Sequence, residues 1–139
     1  MNLVKPSEHN LKKCVEVLNR GGVVIYPTET AYALGGKFSN KKAVARIMKI
    51  KKRRDPKFTL VASSLFQVEK VFKLSTAQRS LAKKYWPGPL SIIVSSKYAV
   101  RVPNNKVARS LARRAGEPLL ATSANLAGGR TPVTAKEIY

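Results

Sequence analysis

The chain is predicted to be an α/β protein, a sandwich of helices around a mixed sheet. Three observations lead there. Segments with apolar residues at helical spacing alternate with short apolar runs of strand length. One pair of such runs is adjacent in sequence, which a purely parallel sheet does not allow. And 139 residues with 44% hydrophobic content suffice for one sizeable core, so residues 1–139 are read as a single domain, without repeats or a linker.

The elements follow in order. Leu11, Cys14, Val15 and Leu18 recur on one face, so 8–20 is a helix, capped by Ser7 and ended by Gly21-Gly22. "VVIYP" at 23–27 is a buried strand. Ala43, Val44, Ile47 and Met48 repeat the helical spacing over 41–52, with Asn40 as cap. "FTLVA" at 58–62 is a further strand. Ser64-x-x-Gln67 and Ser75-x-x-Gln78 read as capping boxes that start two helices, the second stopped by Trp86-Pro87-Gly88-Pro89. "LSIIV" and "YAVRV" are the adjacent strands, joined through Ser95-Ser96-Lys97. A helix carrying Val107 and Leu111 ends at Gly116, and "PLLAT" at 118–122 is the last strand. Thr134-x-x-Glu137 is one more capping box, and Tyr139 falls just inside the helix it opens.

Twenty-seven Lys and Arg against seven Asp and Glu leave a net charge of +20, a surface that attracts polyanions such as nucleic acid, nucleotides or acidic membranes. No apolar run reaches the ~20 residues that span a bilayer, and the N-terminus has no signal-peptide core. The single cysteine, Cys14, forms no internal disulfide, and with His9 it is too little for a zinc site; a cytoplasmic location fits.

Standard catalytic patterns fail. Ala31 stands where a P-loop needs glycine, and Phe38 follows Lys37 where Ser or Thr is needed. There is no G-x-S-x-G elbow, and the lone His9 sits near a helix cap. What remains is chemistry by cations and neutral hydrogen-bonding groups, at the ends of elements where α/β sheets usually bind ligands. Three segments supply them: Thr28-Glu29-Thr30, Lys51-Lys52-Arg53-Arg54 and Ser123-Ala124-Asn125. Lys51 and Arg53 suit phosphate oxygens, and Ser123 and Asn125 suit a phosphate or a purine edge. Attack at an α-phosphate is catalysed mainly by alignment and charge, so the inventory suits nucleotidyl transfer. Each segment also has a plainer reading: "PTET" as a turn, "KIKKRR" as a solvated or nucleic-acid-facing surface, and "SAN" alone as almost uninformative. Gly35-Gly36 after the first loop is read as letting the backbone pass close to a ligand, with Thr28 and Thr30 turning their hydroxyls toward it.

Taken together, the motifs resemble the YrdC-type family, the threonylcarbamoyl-AMP synthases. "GGVVIYPTETAYALGG" is similar to that family's strand and P-T-[DE]-T-x-Y-G-L-G loop, "KKR" at 51–53 to its K-x-R, "WPGPLSIIV" to its W-P-G-P-[LV]-T entry, "VRVP" to its V-R-x-P, and "TSANLAG" to its S-x-N segment. The resemblance runs from the first helix through Gly128. It implies a YrdC-like twisted mixed sheet with an open, basic, concave site. It implies that L-threonine and bicarbonate form a carbamate that attacks the α-phosphate of ATP, supplied with Mg2+, to give threonylcarbamoyl-AMP and pyrophosphate. A downstream threonylcarbamoyl-transferase complex would then modify the adenosine beside the anticodon of ANN-decoding tRNA. By motif, Lys51, Arg53, Ser123 and Asn125 form the catalytic and ATP-binding tetrad. Ser91 adds a hydroxyl near the phosphates. Thr28, Thr30 and Arg101 receive threonine, with Arg101 on its carboxylate.

The chain departs from the family pattern at Arg54, where proline is usual, and at Ala33, where glycine is usual and where a positive φ would strain alanine. The connection between "LSIIV" and "YAVRV" is also shorter, and the family's C-terminal portion is missing after "SANLAG". Two other readings compete: a non-catalytic RNA-binding module on the same fold, and a related carbamoyl-transfer domain with another acceptor.

Overall fold

A computed structural model describes residues 5–52, 54, 55 and 57–124. Two sheets share a seam. The first is antiparallel, of order β1-β2-β7: β1 (Val24–Pro27) pairs with β2 (Tyr32–Gly35), and β2 with β7 (Thr122–Ser123). The second is mixed, of order β4-β5-β3-β6. Here β3 (Phe58–Val61) runs parallel to β5 (Tyr98–Arg101) and antiparallel to β6 (Leu119–Leu120), while β4 (Ile92–Ile93) is antiparallel to β5.

The α/β class and its mixed sheet are as the sequence predicts. The detail differs at two places. "AYALGG" is no loop but the second strand of a hairpin, in register from Val24↔Gly35 to Pro27↔Tyr32. And "PLLAT" is split: Leu119-Leu120 pairs with β3, and after Ala121 the chain passes to β2. The Leu120 amide donates to the Gly36 carbonyl (2.8 Å) and the Ala121 amide to that of Thr59 (2.9 Å), so this one segment stitches the sheets together.

The helices form where caps and periodicity predict. Helix α1 (Glu8–Asn19) starts at Ser7, α2 (Lys41–Ile50) at Asn40, α3 (Leu65–Val71) at Ser64 and α4 (Thr76–Tyr85) at Ser75. Helix α5 (Lys106–Ala115) starts at Asn105 and ends at Gly116 in the left-handed region (φ 78°). Ser75 and Gln78 make a full reciprocal box. Ser64 and Gln67 do not: Ser64 Oγ accepts the Gln67 amide, but Gln67 Oε1 accepts the Ser63 amide and its Nε2 donates to the Ala112 carbonyl of α5. Gln67 is only 7% exposed, and tertiary contacts use its polar atoms instead.

Alternation along the strands sorts the core onto two faces. Val61 and Leu119 join Leu11, Leu18, Ala108, Leu111 and Ala112 beneath α1 and α5. Leu60 and Leu120 join Ile47, Val68 and Val100 on the other face. Each of the buried Leu, Ile and Val side chains contributes about 1.5–3 kcal/mol. The seam segment sits between both clusters, which fixes the polar residues that follow it. The capping box at 134–137 lies outside the described residues.

Candidate functional site

Helix α2 carries Lys51 to its place. Asn40 Oδ1 accepts the Lys42 and Ala43 amides, Ala43 and Ile47 pack on the sheet, and Lys51 becomes the C-cap residue. Its side chain reaches Ser123, 72 residues away: Nζ donates to the Ser123 carbonyl (2.9 Å) and to Oγ (3.2 Å). Ser123 is held by its pairing with Ala33 at the end of the seam. With only 7% of Lys51 exposed, its ammonium is directed rather than solvated.

Both line a cavity of about 520 Å³. Its remaining lining includes Lys57, Thr59, Ser95, Ser96 and Lys97, none of which the motif reading singled out. The available signals were Lys57 immediately before a buried strand and the Ser-Ser-Lys connection, which reads as a turn. It is one, since Ser95 Oγ accepts the Lys97 and Tyr98 amides, but it also brings Lys97 to the cavity. Three lysines and several hydroxyls in a cavity of this size suit a phosphate-bearing ligand.

A second cluster lies at the β1–β2 turn. Thr28 Oγ1 accepts the amides of Thr30 (3.3 Å) and Ala31 (3.1 Å) and donates to the Ala31 carbonyl, while its oxygen sits 3.1 Å from Thr30 Oγ1. The two hydroxyls therefore close the turn, where the sequence reading turned them toward a ligand; a short turn with free amides uses the nearest acceptor. Arg101, the last residue of β5, reaches the same turn. Its Nη2 donates to Thr30 Oγ1 (3.2 Å), and its Nη1 lies 3.5 Å from Glu29 Oε1. Glu29 Oε2 accepts the Asn104 amide. The Ala124 amide donates to the Tyr32 carbonyl (3.2 Å), which sets Ala124 beside this turn. The two clusters thus flank one end of the antiparallel sheet, although Thr28, Thr30 and Arg101 do not line the Lys51 cavity.

Gly35 has a role other than the one the sequence suggests. A Cβ there would lie 1.8 Å from the Leu120 carbonyl oxygen, and one on Gly36 2.8 Å from Ala43 Cβ. The glycines admit the seam and α2, not a ligand. Ala33 lies within β2 and is not among the residues of positive φ, so the strain expected there is absent. Ser91 is exposed, precedes β4 and does not line the cavity. Arg53 and Asn125 lie outside the described residues. Burial pushes the Tyr26 hydroxyl far above its ordinary pKa, partly offset by the Arg101 charge; it stays protonated and donates to the Leu120 carbonyl (2.9 Å). Burial also raises the Cys14 thiol, which disfavours the thiolate.

The pattern of the Sua5/YciO/YrdC family, described as "Telomere recombination", matches residues 16–139. The chain belongs to this family. Among relatives, the threonylcarbamoyl-AMP synthase of Chromobacterium violaceum is 34% identical, over 94% of this chain and 76% of its own length. The crystal structure of P. abyssi Sua5 complexed with L-threonine superposes with a TM-score of 0.85 at 28% identity, over 99% of this chain and 44% of that one. The crystal structure of E. coli YciO superposes with a TM-score of 0.81 at 30% identity, over 96% and 73%; the E. coli protein is named only as uncharacterized. The chain thus spans less than half the length of this Sua5. Among the described residues, no helix is long and apolar enough to cross a membrane.

Proposed function

We propose that this Sua5/YciO/YrdC domain is an L-threonylcarbamoyladenylate synthase acting on L-threonine, bicarbonate and ATP. The observation that carries the reading is the Lys51–Ser123 contact inside a lysine- and hydroxyl-lined cavity, beside the turn that Arg101 reaches. Homologues bearing the synthase name and a Sua5 that binds threonine support it.

In this reading the threonine amine adds to bicarbonate with loss of water, giving a carbamate. A carbamate oxygen attacks the α-phosphorus of ATP, and the bond to the β-phosphate breaks, its electron pair leaving with pyrophosphate. Lys51 stabilises the charge that builds on the α-phosphoryl oxygens, with Arg53, Ser123 and Asn125 in the roles the motif implies. Lys57 and Lys97 are assigned to the departing pyrophosphate. Arg101 receives the threonine carboxylate, at the turn that Thr28 and Thr30 close. Mg2+ enters with ATP, and a transferase complex passes the threonylcarbamoyl group on to tRNA.

Pyrophosphate release from Mg-ATP is the test. It should require both threonine and bicarbonate; a folded protein showing no threonine-dependent release would sink the proposal. Lys51→Ala removes a charge-assisted contact and should lower kcat/KM about ten- to a hundred-fold or more. An unchanged rate would move the site elsewhere.

A second reading, RNA binding, concerns another face. A cleft of about 880 Å³ between α1, α3 and α5 is lined by Lys70, Lys106, Arg109, Arg113 and Arg114, with Glu8 as the one carboxylate in its lining. Phe66 stands 71% exposed there, with Lys70 Nζ 4.7 Å from its ring centre. Clustered cations beside an open aromatic ring suit a phosphate backbone with a stacked base.

A further inference from the structure

Arg101 has a role in the proposed reaction, but Glu29 has none, although its two contacts tie the turn to residues more than 70 positions downstream. One oxygen accepts the Asn104 amide and the other pairs with Arg101. The pair is largely withdrawn from water: the Arg101 side chain is 13% exposed and that of Glu29 18%, despite a turn whose backbone is open. Asn105, next to Asn104, caps α5 by accepting the Val107 and Ala108 amides. One carboxylate thus joins the β1–β2 turn, the end of β5 and the entry to α5.

We propose that Glu29 is a positioning residue for Arg101, holding the guanidinium by one side so that its other N–H groups face an incoming ligand carboxylate. This rests on the reading above, in which Arg101 receives the threonine carboxylate. A guanidinium has five N–H donors. The contacts to Glu29 and Thr30 engage one on each terminal nitrogen, which leaves three, enough for a two-point grip on a carboxylate. Without Glu29 the long Arg101 side chain regains rotamer freedom that binding must remove again. The turn needs only an acceptor for the Asn104 amide, which a glutamine also supplies. Only the hold on Arg101 needs the negative charge, and this separates positioning from mere support of the loop.

The experiment uses the whole chain with Glu29→Gln, Glu29→Ala, Arg101→Ala and the Glu29→Ala/Arg101→Ala double variant. Pyrophosphate release gives KM for threonine and for ATP, and calorimetry gives threonine binding alone. Glu29→Ala should weaken threonine about ten- to a hundred-fold while ATP KM stays within about twofold, with Glu29→Gln in between. The double variant should be no worse than Arg101→Ala, since no guanidinium remains to be held. Threonine binding that is unchanged or tighter in both Glu29 variants overturns the proposal, as do losses that simply add. Should Glu29→Ala not fold, Glu29→Gln decides by the same split between the two substrates. A wild type that neither binds threonine nor releases pyrophosphate defeats the synthase reading alone. The hold on Arg101 is then read from thermal melts of the four variants, where a non-additive cycle supports it and an additive one overturns it.

Discussion

At the residue scale, the seam depends on what two small side chains leave out. Gly35 Cα faces the Leu120 carbonyl so closely that an added Cβ would sit 1.8 Å from it, a backbone atom fixed by its own strand. Gly35→Ala should therefore destabilise the fold by about 3 kcal/mol or more, beyond ordinary overpacking, as read by urea unfolding. Ala33 makes the opposite point. It is 6% exposed, in ordinary strand geometry and paired with Ser123. Ala33→Gly should cost about 0.5–1 kcal/mol instead of relieving strain, and a stabilised variant would show that a left-handed residue is wanted there. The sequence marks Gly35 as a place of close approach but not what approaches, because that partner is 85 residues downstream. Lys51 and Ser123 were legible as candidates because the K-x-R and S-x-N segments occur in order with the other motifs, not from either segment alone. Lys57 and Lys97 were not, because a lysine beside a strand or in a turn is usually just solvated.

At the element scale, the helices and the strands β1, β3, β4 and β5 were legible, whereas β2, β6 and β7 were not read as separate strands. A helix announces itself over ten residues through period and cap, and the five helices predicted within the described residues are all present. The strands β6 and β7 have two residues each and pair only with partners distant in sequence, while β2 pairs with its hairpin neighbour β1 but follows a turn-rich segment that reads as a loop. The two Ser-x-x-Gln motifs show where local logic stops. Ser75→Ala should cost about 1 kcal/mol, the usual value of a cap. Gln67→Ala should cost more, about 2–3 kcal/mol, because it orphans the Ser63 amide, takes one of two donors from the Ala112 carbonyl and truncates a buried side chain; equal losses in thermal melts would contradict that difference. Between helices, Arg114 of α5 donates to both oxygens of Glu8 at the start of α1 (2.7 and 2.6 Å). Arg114 holds the Glu8 carboxyl below its ordinary range, so its contribution is present above the unfolded value and is lost as pH falls through the lowered folded one. Glu8→Gln should flatten that part of the stability profile below about pH 5 and leave the alkaline side unchanged.

At the scale of the whole molecule, the net charge of +20 far exceeds what one nucleotide needs, and the cations are not confined to the Lys51 cavity. Arg109 and Arg114 in the α1/α3/α5 cleft already have fixed work, since Arg109 Nε donates to the Ser63 carbonyl and Arg114 pairs with Glu8. Lys70, Lys106 and Arg113 are the groups to remove, because among the described residues their side chains make no hydrogen bond whose loss would disturb the fold. If RNA lies in this cleft, its affinity should fall steeply with salt, and the log–log slope should report the phosphates neutralised at roughly 0.7 per contact on a single strand. The Lys70→Ala/Lys106→Ala/Arg113→Ala variant should then lower that slope by about two and weaken binding at low salt. Phe66→Ala should weaken binding without changing the slope, since a stacked base releases no counterions. Neither variant should alter threonine-dependent pyrophosphate release, none of whose assigned residues lines this cleft. A slope that survives the triple variant would assign RNA to the cations around α2 instead, where bound polyanion and ATP should compete.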